Sequence, residues 1–219
     1  MNTVVSRLLI TAVAVVALSV LAIGYVLFHP GISFGETSLA KVPAATNFPQ
    51  EGNFTVDPAH TCIGFDIGHL GLSRVQGRFS KLVGSLHVDS KHIANTSVKI
   101  TVNASSVDTA VAPRDADLRS PNFFDVVKYP EITFVSTSMK KHGSSFTAVG
   151  NLTIKGVTRP VTIRFMPHGP IKDPWGNTRI GMIAEPLVIH RSDFGMTYDA
   201  DTVSDDVTIR LSLEATLDK

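Results

Sequence analysis

Polar and apolar residues alternate along most of the chain beyond residue 53. The segment 97–103 (SVKITVN) places three apolar side chains on one face and four polar side chains on the other. The segments 160–165 (PVTIRF) and 207–215 (VTIRLSLEA) repeat this period of two. Because successive side chains of a strand point to opposite faces, the pattern predicts β-strands with one buried face and one solvated face.

The same pattern predicts further strands, which are separated by turn signals. These segments are 54–57, 61–67, 84–89, 132–139, 145–154 and 180–189. Turn-forming residues stand between them, for example Gly143, Gly156 and the run 173–177 (DPWGN). Regularly spaced short strands predict an all-β antiparallel sandwich or barrel. We favour a soluble barrel lined with aliphatic and aromatic side chains, since about eight strands enclose room for side chains or one slender ligand.

One short helical segment is expected among the strands. Residues 113–127 (PRDADLRSPNFFDVV) begin with a proline, which suits the first turn of a helix. Pro121 has no backbone N–H to donate and therefore predicts that the segment is divided into two short helices.

An uncharged apolar segment, Leu8–Phe28, precedes the predicted barrel. At about 1.5 Å per residue, a helix of this length crosses a hydrocarbon layer of roughly 30 Å. Arg7 precedes it and the next Lys or Arg is Lys41, so the positive-inside rule predicts a cytoplasmic N-terminus and an exported remainder. A signal peptide cleaved after Ala40 is the alternative to an uncleaved transmembrane anchor. We favour the anchor, because the apolar core of a signal peptide has only about 7–15 residues.

These features divide the chain into three parts. We assign residues 1–30 to the signal-anchor or signal peptide, and residues 53–219 to the β-barrel domain. Residues 31–52 form the connection, where prolines and small polar residues predict a flexible linker.

Charge and cysteine content exclude several classes of protein. The chain has 20 Lys and Arg against 19 Asp and Glu, and this balance excludes the broad basic surface of a nucleic-acid-binding protein. The single cysteine, Cys62, excludes an intramolecular disulfide framework and a cysteine-based metal cluster. Because Cys62 stands in an alternating apolar run, we expect a buried thiol.

The usual catalytic and metal-binding signatures are absent from the sequence. It contains no GxSxG, P-loop, HExxH or CxxC motif. Its 8 histidines include no pair at the i, i+2 or i, i+4 spacing that often serves metals. We therefore predict no catalytic residue, no metal ligand and no cofactor.

The helical segment and the residues just after it concentrate charged and aromatic side chains. Arg114, Asp115, Arg119 and Tyr129 stand there. One interpretation is a plug whose charges pair locally at one end of the barrel. The other places these four residues at a barrel mouth, where arginine can hold a polar or phosphorylated head group. The candidates for the lining of the interior are Ile63, Phe65, Ile67, Phe134, Ile163 and Phe165.

A series of short motifs runs in order through the same part of the chain. The central ones are VDT at 107–109, RD at 114–115, LRS at 118–120, FFD at 123–125, KYP at 128–130 and ITF at 132–134. The flanking ones are HLG at 69–71, GRF at 77–79, GNLTIKGVTRPV at 150–161 and RSDFG at 191–195. From roughly residue 53 to residue 219, the chain resembles the YceI-like family of polyisoprenoid-binding proteins.

The resemblance implies a lipocalin-like, eight-stranded antiparallel barrel that holds a long polyisoprenoid chain. Family members are commonly exported to the bacterial periplasm, and some are linked to membrane b-type cytochromes. It therefore implies binding, storage or transport of a polyisoprenoid or quinone lipid in the periplasm, beside the inner membrane. Two alternatives stay open. One is an exported, hydrolase-like enzyme that uses Asp115 and a histidine such as His69, and the other is an envelope protein with a filled barrel that acts through partner contact.

Overall fold

The alternating segments form antiparallel strands in the computed structural model, which describes residues 50–219. Twelve strands occur in this part of the chain. They are β1 (Gly52–Val56), β2 (Cys62–His69), β3 (Ser73–Phe79), β4 (Leu82–Val88), β5 (Ser97–Asn103), β6 (Val107–Asp108), β7 (Glu131–His142), β8 (Ser145–Ile154), β9 (Val157–Lys172), β10 (Thr178–Ala184), β11 (Leu187–His190) and β12 (Val203–Leu217). The helix α1 (Ala112–Arg119) lies between β6 and β7.

Eight of these strands close into a barrel. In ring order, β1, β4, β5, β7, β8, β9, β10 and β12 each hydrogen-bond to the next, and β12 pairs again with β1. Each of these pairs is antiparallel. The fold is therefore the all-β antiparallel barrel that the sequence predicts.

The remaining strands lengthen one end of the barrel. β2 and β11 pair with the N-terminal part of β12, whereas β1 and β10 pair with its C-terminal part. β3 then pairs with β2, and β6 pairs with β3. We call this end the mouth; it carries α1 and the β2–β3 turn at residues 70–72. We call the opposite end the base; it carries the β7–β8 turn at residues 143–144 and the β9–β10 turn at residues 173–177.

Inward-facing apolar side chains fill the base half of the barrel. Phe54 of β1 and Phe146 of β8 are fully buried. The ring of Phe146 stacks on that of Phe165, with 5.9 Å between the ring centroids.

All three apolar residues of the predicted segment 97–103 are buried, which confirms the face assigned from the alternation.

The alternation predicts most strand positions, but it omits β3 and the two-residue β6, and it joins β10 and β11 in the single segment 180–189. The predicted segments 97–103 and 145–154 coincide with β5 and β8. Strand β3 is not predicted, because Gly77 stands where an inward-facing apolar residue would complete the pattern. A Cβ atom at Gly77 would overlap the Phe65 ring of the neighbouring strand, so only glycine leaves the space that this ring occupies.

Only the first half of the predicted helical segment is helical. Helix α1 ends at Arg119, and residues 121–124 form turns instead of a second short helix. Pro121 cannot donate a helical hydrogen bond, and Asp125 has a φ of 48°, outside the right-handed helical region.

Cys62 is exposed, so the expectation of a buried thiol is wrong. Strand β2 turns Ile63, Phe65 and Ile67 toward the interior. The period of two therefore places Cys62 on the outer face.

The predicted membrane segment, Leu8–Phe28, and the rest of residues 1–49 lie outside the described residues. Within residues 50–219, no helix combines the length and the apolar character needed to cross a membrane.

Candidate functional site

A cavity of about 490 Å³ occupies the mouth half of the barrel. Its wall is formed mainly by aliphatic and aromatic side chains of β2, β3, β5, β7, β8, β9, β11 and β12, while α1 and residues 191–203 surround the opening. This volume falls within the range of roughly 300–1,000 Å³ that is usual for small-molecule sites. The barrel is therefore hollow, which argues against the alternative of a filled interior.

Five of the six residues predicted to line the interior contribute to the cavity wall. They are Ile63, Phe65, Ile67, Phe134 and Ile163. Phe165, two residues beyond Ile163 on β9, lies deeper in the base half and borders a second void of about 40 Å³. Other inward-facing wall residues follow the alternation of predicted strands and could have been identified from it: Leu187, Ile189, Val207 and Ile209. Val75 and Phe79 also line the wall, but they lie on β3, where Gly77 interrupts the pattern.

Four side chains separate the cavity from the smaller void. This group, which we call the septum, consists of Ile100, Phe134, Ile163 and Leu211, each of which borders both spaces. Two of them lie against glycines. A Cβ atom at Gly84 would lie 2.5 Å from Cδ1 of Ile100, and one at Gly150 would lie 2.6 Å from the Phe134 ring. The septum thus depends on two positions that carry no side chain.

Polar side chains surround the opening of the cavity. His69, Ser73, Asp117 and Asp199 line it and are exposed. Arg114, a predicted mouth residue, also lines the cavity. Its Nε donates a hydrogen bond to the hydroxyl of Thr109 at 2.8 Å, and its Nη2 donates to the Thr109 carbonyl at 2.9 Å. An apolar interior with a polar opening suits an amphiphilic ligand.

Asp115 does not line the cavity. The residue is buried, and its carboxylate accepts hydrogen bonds from the Thr109 amide at 2.9 Å and from the Thr109 hydroxyl at 2.5 Å. The hydroxyl bond lowers the pKa of Asp115 below its ordinary value. These contacts fasten α1 to the chain that leaves β6, in agreement with a plug whose polar groups pair locally.

Arg119 and Tyr129 also lie away from the cavity wall. The Arg119 guanidinium donates to the carbonyl of Ser105 at 2.7 Å and to that of Val107 at 2.6 Å. The Tyr129 ring packs on the β8–β9 turn, where a Cβ atom at Gly156 would lie 2.5 Å from it. Both residues therefore hold local structure together, and neither is placed to meet a ligand in the cavity.

Arg191, which is not among the predicted site residues, is 3% exposed and lines the cavity. Its guanidinium donates four hydrogen bonds of 2.6–3.0 Å to the main-chain carbonyls of Met196, Tyr198, Val203 and Ser204. All four acceptors are uncharged main-chain carbonyls. Its place in the motif RSDFG was the available signal, although the motif does not show which groups the arginine contacts.

At the base, Arg179 joins three carboxylates. Its Nη1 contacts Asp57 at 2.7 Å and Glu214 at 2.6 Å, and its Nε contacts Asp173 at 2.8 Å. Asp57, His60 and Glu214 also bring three potential metal-ligand atoms within 4.8 Å of one another. Because the Arg179 guanidinium already supplies the positive charge between Asp57 and Glu214, we treat the group as an ion network and assign no metal to it.

This network predicts a pH-dependent contribution to stability. The Arg179 hydrogen bond lowers the pKa of Asp57 from 3.8 to about 2. A carboxyl with a lowered pKa in the folded state stabilises the fold above its ordinary pKa, and the contribution is lost as the pH falls through the folded value. We expect Arg179→Gln to lower the urea midpoint near pH 7. The difference from the unaltered protein should shrink as the pH falls from 3.8 to about 2.

Urea titrations at several pH values measure this effect. Arg159→Gln is the matched control, because it removes an exposed arginine whose hydrogen bond goes to the main-chain carbonyl of Thr158. If the urea midpoints of Arg179→Gln and of the unaltered protein differ equally at neutral and acidic pH, Arg179 does not stabilise the fold through the Asp57 carboxylate.

Comparison with known proteins identifies the family. The model of the YceI-like domain matches residues 54–215. Protein YceI of Salmonella arizonae is 41% identical over 183 residues, which cover 84% of this chain and 92% of the relative.

Solved structures show the same fold. BcnA of Burkholderia cenocepacia has a TM-score of 0.67 and 25% identity, covering 74% of this chain and 99% of its own. The YCEI protein of Campylobacter jejuni has a TM-score of 0.62 and 31% identity, covering 74% and 96%. A polyisoprenoid binding domain from Saccharophagus degradans has a TM-score of 0.61 and 14% identity, covering 75% and 98%. With the family model matched along most of the barrel and the fold shared with these proteins, the chain belongs to the YceI-like domain family.

Proposed function

We propose that this protein binds a polyisoprenoid or isoprenoid-quinone lipid and holds its tail inside the barrel. The observation that carries the proposal is the hollow, largely apolar cavity of about 490 Å³, which opens at a polar mouth. The similar domain from Saccharophagus degradans is a polyisoprenoid binding domain, which supports the same class of ligand.

Burial of the tail supplies the free energy of binding. Each CH₂ group transferred from water contributes roughly 0.8 kcal/mol, before the costs of ordering the ligand are subtracted. Ile189 of β11 and Val207 and Ile209 of β12 offer branched aliphatic surface for this contact. Since apolar contacts carry no direction, the polar groups at the mouth must orient the ligand.

Arg114 at the cavity is suited to that role, because it uses only two of its five N–H donors, both on Thr109. Arg191 uses four of its five on main-chain carbonyls and contributes mainly its positive charge. A quinone carbonyl or a phosphate offers only acceptor oxygens, which are the complement of guanidinium donors. With the head group at the mouth, the tail extends toward the septum.

We further propose that the protein acts in the periplasm, where it stores or transports its lipid beside the inner membrane. The support is the uncharged segment Leu8–Phe28 with a basic residue only on its N-terminal side. A link to a membrane b-type cytochrome stays a prediction of the family resemblance.

The experiment that tests lipid binding is a pair of tryptophan substitutions on β11. Ile189 is buried and lines the cavity, whereas its neighbour Val188 is exposed on the outer face. We expect Ile189→Trp to reduce the bound lipid by on the order of tenfold or more, because the indole occupies the space of the tail. The cost in the free energy of unfolding should stay below about 1 kcal/mol, because the indole enters empty space.

The measurement is mass spectrometry of organic extracts from protein purified out of its own host. Val188→Trp is the matched control and should retain the lipid of the unaltered protein. An absence of lipid in the unaltered protein, or equal amounts in both variants, would count against the proposal.

An enzymatic role has no comparable support. Asp115, the acid of that alternative, is engaged by Thr109 beneath α1, while His69 lies at the mouth. The two groups therefore do not face a common site on the cavity wall.

A further inference from the structure

The sequence contains a single tryptophan, Trp175, and its side chain stands in solvent. The residue lies in the β9–β10 turn at the base of the barrel and is 80% exposed. Ile171, which precedes the turn on β9, is 51% exposed. An indole held in water beside a second exposed apolar side chain is typical of a contact surface.

The turn that carries Trp175 is firmly held. The Asp173 carboxylate accepts hydrogen bonds from the main-chain N–H of Trp175 at 3.0 Å and from that of Asn177 at 2.8 Å. The Nε of Arg179 donates to the same carboxylate at 2.8 Å. Gly176 has a φ of 85°, which glycine adopts without strain and which lets the chain reverse. A turn fixed in this way loses little conformational entropy when its indole binds a partner.

We propose that the base of the barrel docks on the surface of a lipid bilayer through Trp175, with the indole at the level of the head groups. Tryptophan is enriched at membrane–water interfaces, because its ring is apolar while its N–H can reach a polar partner. The docking surface lies on the outside of the barrel and is therefore independent of any ligand in the cavity.

The path of the chain favours a bilayer as the occupant of this surface. The described residues begin at Gln50, and β1 enters the barrel at its base, where Phe54 pairs with Leu217. Residues 29–49, which follow the predicted membrane segment, span at most about 75 Å when fully extended. The mouth is farther away, since β12 extends over about 50 Å from the mouth to the base. The base is thus the end of the barrel at which the chain from the predicted anchor arrives.

The exposed charges of the base suit an anionic bilayer. Lysines predominate among the exposed charged side chains in this part of the described chain: Lys91, Lys140, Lys141, Lys172 and Lys219. Glu51 and Asp218 are the exposed acids there. Asp173, the acid of the turn itself, is paired with Arg179. Because lysines near an anionic membrane surface are attracted to it, they support the contact that the indole makes.

The single tryptophan allows a direct test by fluorescence. The full-length protein is reconstituted into vesicles of phosphatidylcholine and phosphatidylglycerol. Two preparations differ only in bromine atoms on the acyl chains of the phosphatidylcholine, which quench an indole at short range. We expect the emission of Trp175 to fall by about half in the brominated vesicles, since interfacial apolar groups reach about 5–10 Å into the boundary between head groups and acyl chains.

A relocated reporter tests which end of the barrel docks. The double variant Trp175→Phe/Val188→Trp carries its only tryptophan on the outer face of β11, where Val188 is 54% exposed. β11 pairs with the N-terminal part of β12, toward the mouth. We therefore expect bromine to leave the emission of this variant unchanged.

A charge placed beside the turn should weaken the contact. Ile171→Asp replaces an exposed apolar side chain with a carboxylate that anionic head groups repel, and we expect it to reduce the quenching of Trp175 by on the order of threefold or more. Met166→Asp is the matched control. Met166 is 38% exposed on the same strand and lies about 16 Å closer to the mouth, so its variant should be quenched like the unaltered protein.

The outcomes decide between a bilayer and another occupant. If brominated chains do not quench Trp175, docking on a bilayer is overturned and the indole is left to a protein partner. Equal quenching of the reporter at position 188, or equal quenching in Ile171→Asp and Met166→Asp, would overturn docking through the base. Lipid binding in the cavity is measured by extraction and stands or falls without these results.

Discussion

Replacement of Arg191 by alanine is expected to lower the free energy of unfolding by about 3–5 kcal/mol. A hydrogen bond from a charged donor contributes about 1.5–3 kcal/mol, and the Arg191 guanidinium donates to four carbonyls. The total stays below four such bonds, because Tyr198 is exposed and its carbonyl can bind water once the guanidinium is gone. The remaining loss follows from the burial of the site, where an unpaired carbonyl is costly.

The same substitution should also weaken lipid binding. Met196, Asp199 and Val203 line the cavity, and all three belong to the segment that Arg191 holds. Urea denaturation measures the stability, and the lipid content of purified protein measures the binding.

Two controls separate the role of Arg191 from general effects at this turn. Arg191→Lys keeps the charge but has no planar fork of donors, so we expect it to recover only part of the stability. Asp193→Ala alters an exposed side chain of the same turn and should change the free energy of unfolding by less than about 0.5 kcal/mol. If Arg191→Lys recovers the full free energy of unfolding, the four hydrogen bonds to main-chain carbonyls do not explain the stability that Arg191 contributes.

Replacement of Phe54 by alanine is expected to cost about 3–5 kcal/mol. Phe54 is fully buried, and β1 is the strand that joins β4 to β12 and so completes the ring at the base. The substitution removes the buried ring and leaves a cavity that the barrel cannot close without moving strands, which is why the cost exceeds that of simple transfer to water.

Urea denaturation of Phe54→Ala beside Asn53→Ala tests this expectation. Asn53 is the exposed neighbour on the same short strand, and its main-chain pairing with His87 is unaffected by truncation of its side chain. We expect the Asn53 variant to lose less than about 1 kcal/mol. Similar losses in the two variants would indicate that strand pairing, and not the buried ring, holds the seam between β1 and β12.

The strand positions could be predicted because each strand separates water from an apolar interior. β5 and β8 show this directly, since their ends coincide with the predicted ones. β3 could not be predicted in this way. Its inward position at Gly77 is filled by Phe65 from the neighbouring strand, and a pattern along one strand cannot reveal a side chain supplied by another.

The candidate site could be predicted only in part, for a related reason. The aliphatic wall follows from the alternation, but the partners of the charged residues do not. Arg114, Asp115 and Arg119 stand close together in sequence, yet Arg114 lines the cavity, Asp115 accepts hydrogen bonds from Thr109, and Arg119 donates to the carbonyls at 105 and 107. These partners depend on the path of the chain between β6 and β7, which is a property of the tertiary structure.

The hollow interior could not be predicted from the sequence either. Filled and hollow barrels share one alternation of side chains. The difference depends on how far individual side chains cross the interior, as Phe134 does over Gly150 and Ile100 does over Gly84.

The pairing of β1 with β12 has a consequence for the order in which the protein folds. Residues at the seam are far apart in sequence: Thr55 and Asp218, which share a hydrogen bond, are separated by 163 positions. β12 also provides the pairing edge for β2, β10 and β11, so the ring is incomplete until the last strand has been synthesised. Contacts of such long range make folding slow. The cavity therefore closes only after β12 has been synthesised, and a nascent chain that lacks β12 has no enclosed cavity.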